Sequence, residues 1–142
     1  MKYKSLAIGI LLTCSGSVSA NDQLAVQTVK KMYETGKVLE KGNELIALYA
    51  DQNLSRAINI WNAADYCIAY DVMWQSNDPP YHRKVTYTSL GNNQVKVSLA
   101  KVPNYDAASL TYKLNCTDGI CKIADVVDKL GSLKRNIYKE CQ

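Results

Sequence analysis

The spacing of hydrophobic residues changes near the middle of the chain. In the first half, Val26, Val29, Met32 and Tyr33 recur at the spacing of one helix face. In the second half, apolar and polar positions alternate along four segments, as in half-buried strands. These segments are "HRKVTYTSL", "NQVKVSLAKV", "ASLTYKLNC" and "ICKIADVV". The pattern therefore predicts helices followed by a β-sheet.

Three helices are predicted before the sheet. Asp22 is a candidate N-cap of the first helix, which two glycines end or interrupt. Asn43 can cap a second helix. A third begins near Leu54 and extends towards Tyr66, and it must stop at or before "SNDPPY" at positions 76–81.

The four strands are joined by short links, which favours an antiparallel meander. Helices before such a sheet indicate the α+β class. The sequence predicts N-terminal helices packed on a curved four-stranded antiparallel sheet. Gly131 and Ser132 then open a short C-terminal helix, "SLKRNIYKEC".

Two cysteines flank the last predicted turn. Asp118-Gly119 is typical of a two-residue hairpin turn, because type I′ geometry needs positive φ at both positions. In that register Thr117 faces Ile120, and Cys116 faces Cys121. A disulfide is favoured over zinc, since the chain has one histidine and no second closely spaced pair. Redox motifs favour two intervening residues over four.

The remaining cysteines complete a second bridge. Cys14 lies in the predicted leader, so pairing Cys116 with Cys121 leaves Cys67 for Cys141. Such a bridge would tie the penultimate residue to the middle of the chain. We expect no metal site and no cofactor, because no ligand cluster, phosphate loop or dinucleotide motif is present in the sequence.

The N-terminus predicts export. Residues 1–20 combine two lysines, an apolar run at positions 6–12 and "SGSVSA", which ends at a signal-peptidase site after Ala20. Residues 21–142 are then a single disulfide-stapled domain in the periplasm. The alternative is a lipoprotein signal, since Leu11 stands three residues before Cys14, and acylation there would anchor the chain to a membrane.

Charge excludes few partners but disfavours nucleic acid. Without Lys2 and Lys4 the chain keeps 15 basic and 13 acidic residues, scattered along its length. The nearest basic cluster, "HRK" at positions 82–84, is interpreted as the solvated start of a strand. We therefore expect no nucleic-acid partner and no membrane span.

One carboxylate is a candidate for chemistry. Extending the hairpin register places Tyr112 opposite Asp125, on the face that Leu114 and Ile123 make apolar. A carboxyl beside a tyrosine in such a pocket could act as a base. Alternatively, Asp125 lies near the sheet edge, hydrogen-bonded to Tyr112 or to a helix. No catalytic residue is predicted, because His82 has no triad partners in a recognisable motif.

The aromatic residues indicate a partner-binding segment. Tyr70, Trp74 and Tyr81 flank a proline-rich loop, with Asp71 and His82 beside them. Tyrosine and tryptophan dominate interface hot spots, which favours a protein partner. The alternative is a helical stripe facing the core, formed by Tyr66, Tyr70 and Trp74, which recur every four residues.

Three segments, "YADQNLSRAI", "AYDVMWQ" and "CKIADVVDKLGSLKRNI", resemble small exported bacterial proteins of uncharacterised function in the superfamily of nuclear transport factor 2. The resemblance implies a cone-shaped fold. Some enzymes of that superfamily use an aspartate that faces the inside of the cone. Some periplasmic proteins of this size are immunity proteins against type VI secretion toxins.

Together these features predict a periplasmic protein-binding module without enzymatic activity. Its most specific form is an immunity or inhibitor protein that binds a secreted toxin effector. Two alternatives remain open: a small-molecule-binding or isomerase-like cone using Asp125 and Tyr112, and an envelope accessory lipoprotein.

Overall fold

The computed structural model describes residues 18–65 and 67–142. The helices are α1 (Ala20–Leu39), α2 (Asn43–Tyr49), α3 (Gln52–Ala63) and α4 (Leu133–Glu140). The strands are β1 (Val85–Gly91), β2 (Gln94–Leu99), β3 (Ala108–Thr117), β4 (Ile120–Asp128) and β5 (Gly131–Ser132). The predicted α+β class, with helices first and an antiparallel sheet after them, is confirmed.

The sheet is a meander in the order β1-β2-β3-β4-β5, with every neighbouring pair antiparallel. The prediction of four strands was wrong by one. Gly131 and Ser132 form the additional strand β5, opposite Asp128 and Val127, and lead directly into the last helix as predicted. Ser132 then caps α4, because its hydroxyl accepts a hydrogen bond from the backbone N–H of Arg135.

The first helix is capped one turn earlier than expected. The hydroxyl of Ser19, not the carboxylate of Asp22, accepts a capping bond, from the backbone N–H of Asp22. The Asp22 carboxylate instead accepts the N–H of Asn93, 2.7 Å away, and so ties the start of α1 to the β1–β2 turn. The helix continues through Gly36 and ends where Glu40 takes a left-handed conformation.

The third helix is shorter than predicted. Asp51 caps it by accepting the N–H of Leu54, and it ends at Ala63. Tyr66 lies outside the described residues. Residues 67–84 contain turns and bends but no helix, so the predicted stripe linking Tyr70 and Trp74 at helical spacing was wrong.

The predicted hairpin around Asp118-Gly119 is present. Both turn residues have positive φ, 53° and 75°, and Cys116 lies opposite Cys121. These cysteines are bridged with 4.0 Å between their Cα atoms. The second predicted bridge, Cys67–Cys141, joins Cα atoms 5.2 Å apart. Two disulfides indicate folding in an oxidising compartment, while Cys14 lies outside the described residues.

A β-bulge shifts the register farther from this turn. Leu114 pairs with Ile123 as expected, but Lys113 then pairs with Asp125, and Tyr112 with Val126. The extra residue on β4 turns the following side chains to the other face of the sheet. The predicted pairing of Tyr112 with Asp125 was therefore wrong.

The helices and the sheet share one hydrophobic core. Its largest fully buried apolar or aromatic side chains are Trp74, Tyr33, Tyr112, Met32, Ile46, Leu54 and Met73. Within the described ranges, no helix has the length and apolarity needed to cross a membrane.

Candidate functional site

Trp74 belongs to the core and is not a surface anchor. Its side chain is completely buried, and its indole N–H donates to the carbonyl oxygen of Lys41 at 2.9 Å. The indole ring meets the rings of Tyr33 and Tyr81 edge to face, at centroid distances of 5.2 and 5.6 Å. A partner protein has no access to Trp74 in this conformation, so its prediction as a partner-binding residue was wrong.

Asp71 holds the segment before Trp74 in place. Its carboxylate accepts hydrogen bonds from the backbone N–H groups of Asn43 and Trp74. Burial raises the pKa of the Asp71 carboxyl, whereas these N–H donors act in the opposite direction. A Cβ atom at Gly42 would collide with this carboxylate, which explains the glycine there. Asp71 therefore has a structural explanation that requires no partner.

The residues of the predicted pocket do not meet. The hydroxyl of Tyr112 lies in the core, 2.9 Å from the hydroxyl of Tyr33. The carboxylate of Asp125 accepts from the Ser132 hydroxyl and from the backbone N–H groups of Val126 and Lys134. Asp125 therefore connects β4 to the first turn of α4, which agrees with the helix-bonded alternative.

Tyr70 is half-buried and anchored by its hydroxyl. The hydroxyl donates to the carboxylate of Asp128 at 2.6 Å, and the side-chain amide of Gln75 donates to the same oxygen at 2.9 Å. Burial, followed by this hydrogen bond and the nearby negative charge, raises the pKa of Tyr70. The hydroxyl of Tyr70 is thus fixed, while its ring packs against the core and remains partly exposed to solvent.

Arg83, which the sequence analysis placed at a solvated strand start, is only 2% exposed. Its guanidinium donates to the carbonyl oxygens of Ala100 at 2.8 Å and Asp106 at 2.6 Å, with a longer contact of 3.4 Å to Leu99. Among the described residues, no carboxylate lies within ion-pair distance of it. Arg83 thus joins the start of β1 to the β2–β3 connection.

Four surface clefts adjoin one another through shared residues. The largest, about 690 Å³, lies over Arg83 and is bordered by Tyr105, Gln75 and Lys129. Tyr105 also lines a cleft of about 430 Å³ beside the proline loop. Gln75 and Lys129 also line a cleft of about 300 Å³. Tyr70 and Leu130 join that cleft to one of about 390 Å³ along α4. We call these four clefts the cleft band.

The cleft band contains three of the five predicted partner-binding residues. Tyr70 lines its α4 end, whereas Tyr81 and the exposed His82 line its proline-loop end. Beside Tyr70 lies Leu130, in the β4–β5 turn, an apolar side chain 58% exposed to solvent. Leu130, Tyr105 and Lys129 were not predicted from the sequence, because only the fold brings the β2–β3 connection and the β4–β5 turn beside residues 70–82.

The described residues hold no cluster of three or more histidine, cysteine, aspartate or glutamate side chains that could bind a metal ion. Comparison with known proteins gives no assignment: no family model, no curated protein and no solved structure matches this chain.

Proposed function

We propose that this protein is an exported binding module whose docking surface for a protein partner is the cleft band. The continuity of the four clefts, two of which are lined by the exposed Leu130, carries this proposal. Interfaces combine apolar and aromatic anchors with a polar, charged rim. The apolar and aromatic anchors of the cleft band are Leu130, Tyr70 and Tyr105. Its charged rim includes Lys129.

The filled interior favours docking at the surface over chemistry inside a cone. The space between α1 and the sheet is occupied by Tyr33, Trp74 and Tyr112. Tyr112 and Asp125, which the isomerase-like alternative requires, are held in separate hydrogen-bond networks. The cone-shaped fold of nuclear transport factor 2 remains part of the proposal only as a resemblance in arrangement.

The specific form that we propose is an inhibitor or immunity protein that neutralises a secreted toxin enzyme in the periplasm. Three features support this form: the leader-like N-terminus, the two disulfides and the small size of the chain. Inhibition would follow from steric occlusion, with the cleft band seated against the enzyme.

Site-specific photo-crosslinking tests the docking surface. A benzoylphenylalanine in place of Leu130 should give one discrete adduct in the exporting cell. The same residue in place of Leu48 should not, although Leu48 is an exposed leucine too, at 70%, and lines none of the four clefts. Discrete adducts from both positions, or from neither, would contradict the proposal.

The purified partner then allows the affinity to be measured. Leu130→Glu should weaken binding by about tenfold or more, whereas Leu48→Glu should stay within about twofold. Equal losses would refute the cleft band as the interface. A toxin inhibitor must also abolish the partner's turnover at a one-to-one ratio. A partner whose activity survives saturation would refute inhibition while leaving the binding function in place.

A further inference from the structure

The two edges of the sheet differ in how they are protected. One edge is β5, which has two residues and leads directly into α4. The other is β1, whose seven residues, "VTYTSLG", include no charge and no proline. The inner strands carry Lys96, Lys113 and Lys122. Natural sheets usually guard an exposed edge with lysine, proline, a bulge or a covering segment. The register shift in β1 lies at its end, between Ser89 and Gly91, so the stretch 85–89 is left unguarded and calls for an explanation.

The backbone of β1 presents unpaired groups on its outer side. The N–H of Ala100 donates to the carbonyl of Lys84 at 2.9 Å, which makes Lys84/Ala100 a hydrogen-bonded pair. Because such pairs alternate along an antiparallel ladder, Val85, Tyr87 and Ser89 direct their N–H and C=O groups away from β2. No described residue makes a backbone hydrogen bond to those outward groups.

We propose that β1 pairs with β1 of a second copy of this chain, in an antiparallel two-fold arrangement centred on Tyr87. In that register Val85 meets the second copy's Ser89, and Tyr87 meets its own counterpart. Each of these pairs can exchange two hydrogen bonds, because all of the residues involved direct their backbone groups outward. The two sheets would then form one continuous sheet across the dimer.

The side chains favour this partner over an unrelated strand. On the exposed face, Thr86 would lie opposite Thr88 of the second copy, and threonine pairs across antiparallel strands are favourable. Beyond these pairs Lys84 would approach the half-exposed Leu90, which lies in the register shift between Ser89 and Gly91, and its aliphatic stem can cover the leucine. No like charges face each other in this register. A charged edge strand, in contrast, would place like charges opposite each other and repel its own copy.

Analytical ultracentrifugation of the oxidised protein, purified from the exporting cell, tests the proposal. The weight-average mass should rise from monomer towards dimer with increasing concentration. The double variant Thr86→Glu/Thr88→Glu places carboxylates opposite one another across the two-fold axis and should weaken the dimer by about tenfold or more. The monomer should tolerate it, since position 88 faces Lys96 on β2.

A charge-swapped variant tests the register itself. In Thr86→Lys/Thr88→Glu, each lysine would face a glutamate of the second copy, so the dimer affinity should return to within about threefold of the parent value. Ser109→Glu/Thr117→Glu is the matched control, since it adds the same charge at exposed positions of the interior strand β3, and it should not affect the dimer.

Three outcomes would overturn the proposal: a monomer at every concentration, a dimer indifferent to the glutamate pair, or no rescue by the charge swap. The cleft-band proposal would survive each of them, because the β1 edge shares no residue with that surface.

Discussion

The hydroxyl of Tyr112 donates a hydrogen bond to the hydroxyl of Tyr33, and Tyr33 donates to the carbonyl oxygen of Met73 at 2.7 Å. A phenol carries one proton, so the bond from Tyr33 to Met73 fixes Tyr112 as the donor in the other pair. These two hydrogen bonds connect β3, α1 and the segment after α3 inside the core.

The direction of these hydrogen bonds predicts that removing the two hydroxyls lowers the free energy of unfolding by unequal amounts. Tyr112→Phe removes only the outer donor and should lower the free energy of unfolding by about 1 kcal/mol. Tyr33→Phe leaves both the Tyr112 hydroxyl and the Met73 carbonyl without partners and should cost roughly 2–4 kcal/mol. Urea unfolding of both variants checks this order. Equal losses of unfolding free energy would show that the hydrogen bonds do not run in the direction described.

Alkaline pH should unfold the protein. Burial, first among the causes, raises the pKa of both Tyr33 and Tyr112 above the ordinary value of 10.0. The unfolded chain therefore loses these protons from about pH 10 while the folded chain keeps them, so stability falls as pH rises. These two protons contribute roughly 2.7 kcal/mol per pH unit to the slope.

Urea unfolding between about pH 9 and 11.5 measures this slope, and phenolate absorbance reports which state has ionised. Tyr112→Phe should reduce the slope by about one proton's share. Stability that stays constant through this range would contradict the burial of the pair. Burial also raises the pKa of Tyr87, to about 12, so Tyr87→Phe should reduce the slope as well.

Trp74→Ala tests the assignment of Trp74 to the core. The substitution removes a completely buried indole and leaves the Lys41 carbonyl unpaired, so it should lower the free energy of unfolding by roughly 3–5 kcal/mol. Tyr138→Ala, at a 42% exposed aromatic position, is the control and should change it by no more than about 0.5 kcal/mol. A loss below about 1 kcal/mol for Trp74→Ala would mean that the indole is accessible after all.

The hairpin was predictable because its signals are local. Asp118-Gly119 specifies the turn, and the alternation on either side places Cys116 opposite Cys121 without knowledge of the rest of the fold. The wrong register predicted for Asp125, four residues beyond Cys121 on β4, has a local signal too. Val126 and Val127 are adjacent apolar residues that break strict alternation, and such a break is typical of a bulge.

The segment between α3 and β1 could not be predicted in the same way. The spacing of Tyr70 and Trp74 fits a helix, but hydrogen bonds from distant residues determine its conformation. The side chain of Asn43 bonds to the backbone of both Tyr70 and Val72. These contacts span 27 and 29 positions, so no local pattern records them.

The burial of Arg83 gives a further prediction. Replacing it with methionine keeps an apolar stem but leaves the Ala100 and Asp106 carbonyls unpaired, at a cost of roughly 2–4 kcal/mol. Arg83→Lys should recover only part of this loss, because an ammonium lacks the planar fork that spans several acceptors. Lys84→Met, at the exposed neighbouring position, is the control. Equal thermal stability of the Arg83 and Lys84 variants would refute this role.

The two disulfides should contribute unequally to stability. Cys67–Cys141 closes a loop with a sequence separation of 74 and Cys116–Cys121 one of 5. Chain-entropy models assign them about 4.5 and about 2 kcal/mol respectively. Paired serine substitutions, Cys67→Ser/Cys141→Ser and Cys116→Ser/Cys121→Ser, measure the difference by urea unfolding. A larger loss from the hairpin pair would contradict the entropic account.

The position of Cys141 also determines when the second disulfide can form. Cys116 and Cys121 can meet as soon as their hairpin emerges on the oxidising side of a membrane. Cys67 must wait longer, because its partner Cys141 follows both hairpin cysteines along the chain. Until then Cys67 is a free thiol beside two other cysteines with which it can pair wrongly. Closure of the Cys67–Cys141 bridge is therefore the later of the two oxidations, and removing Cys141 abolishes it.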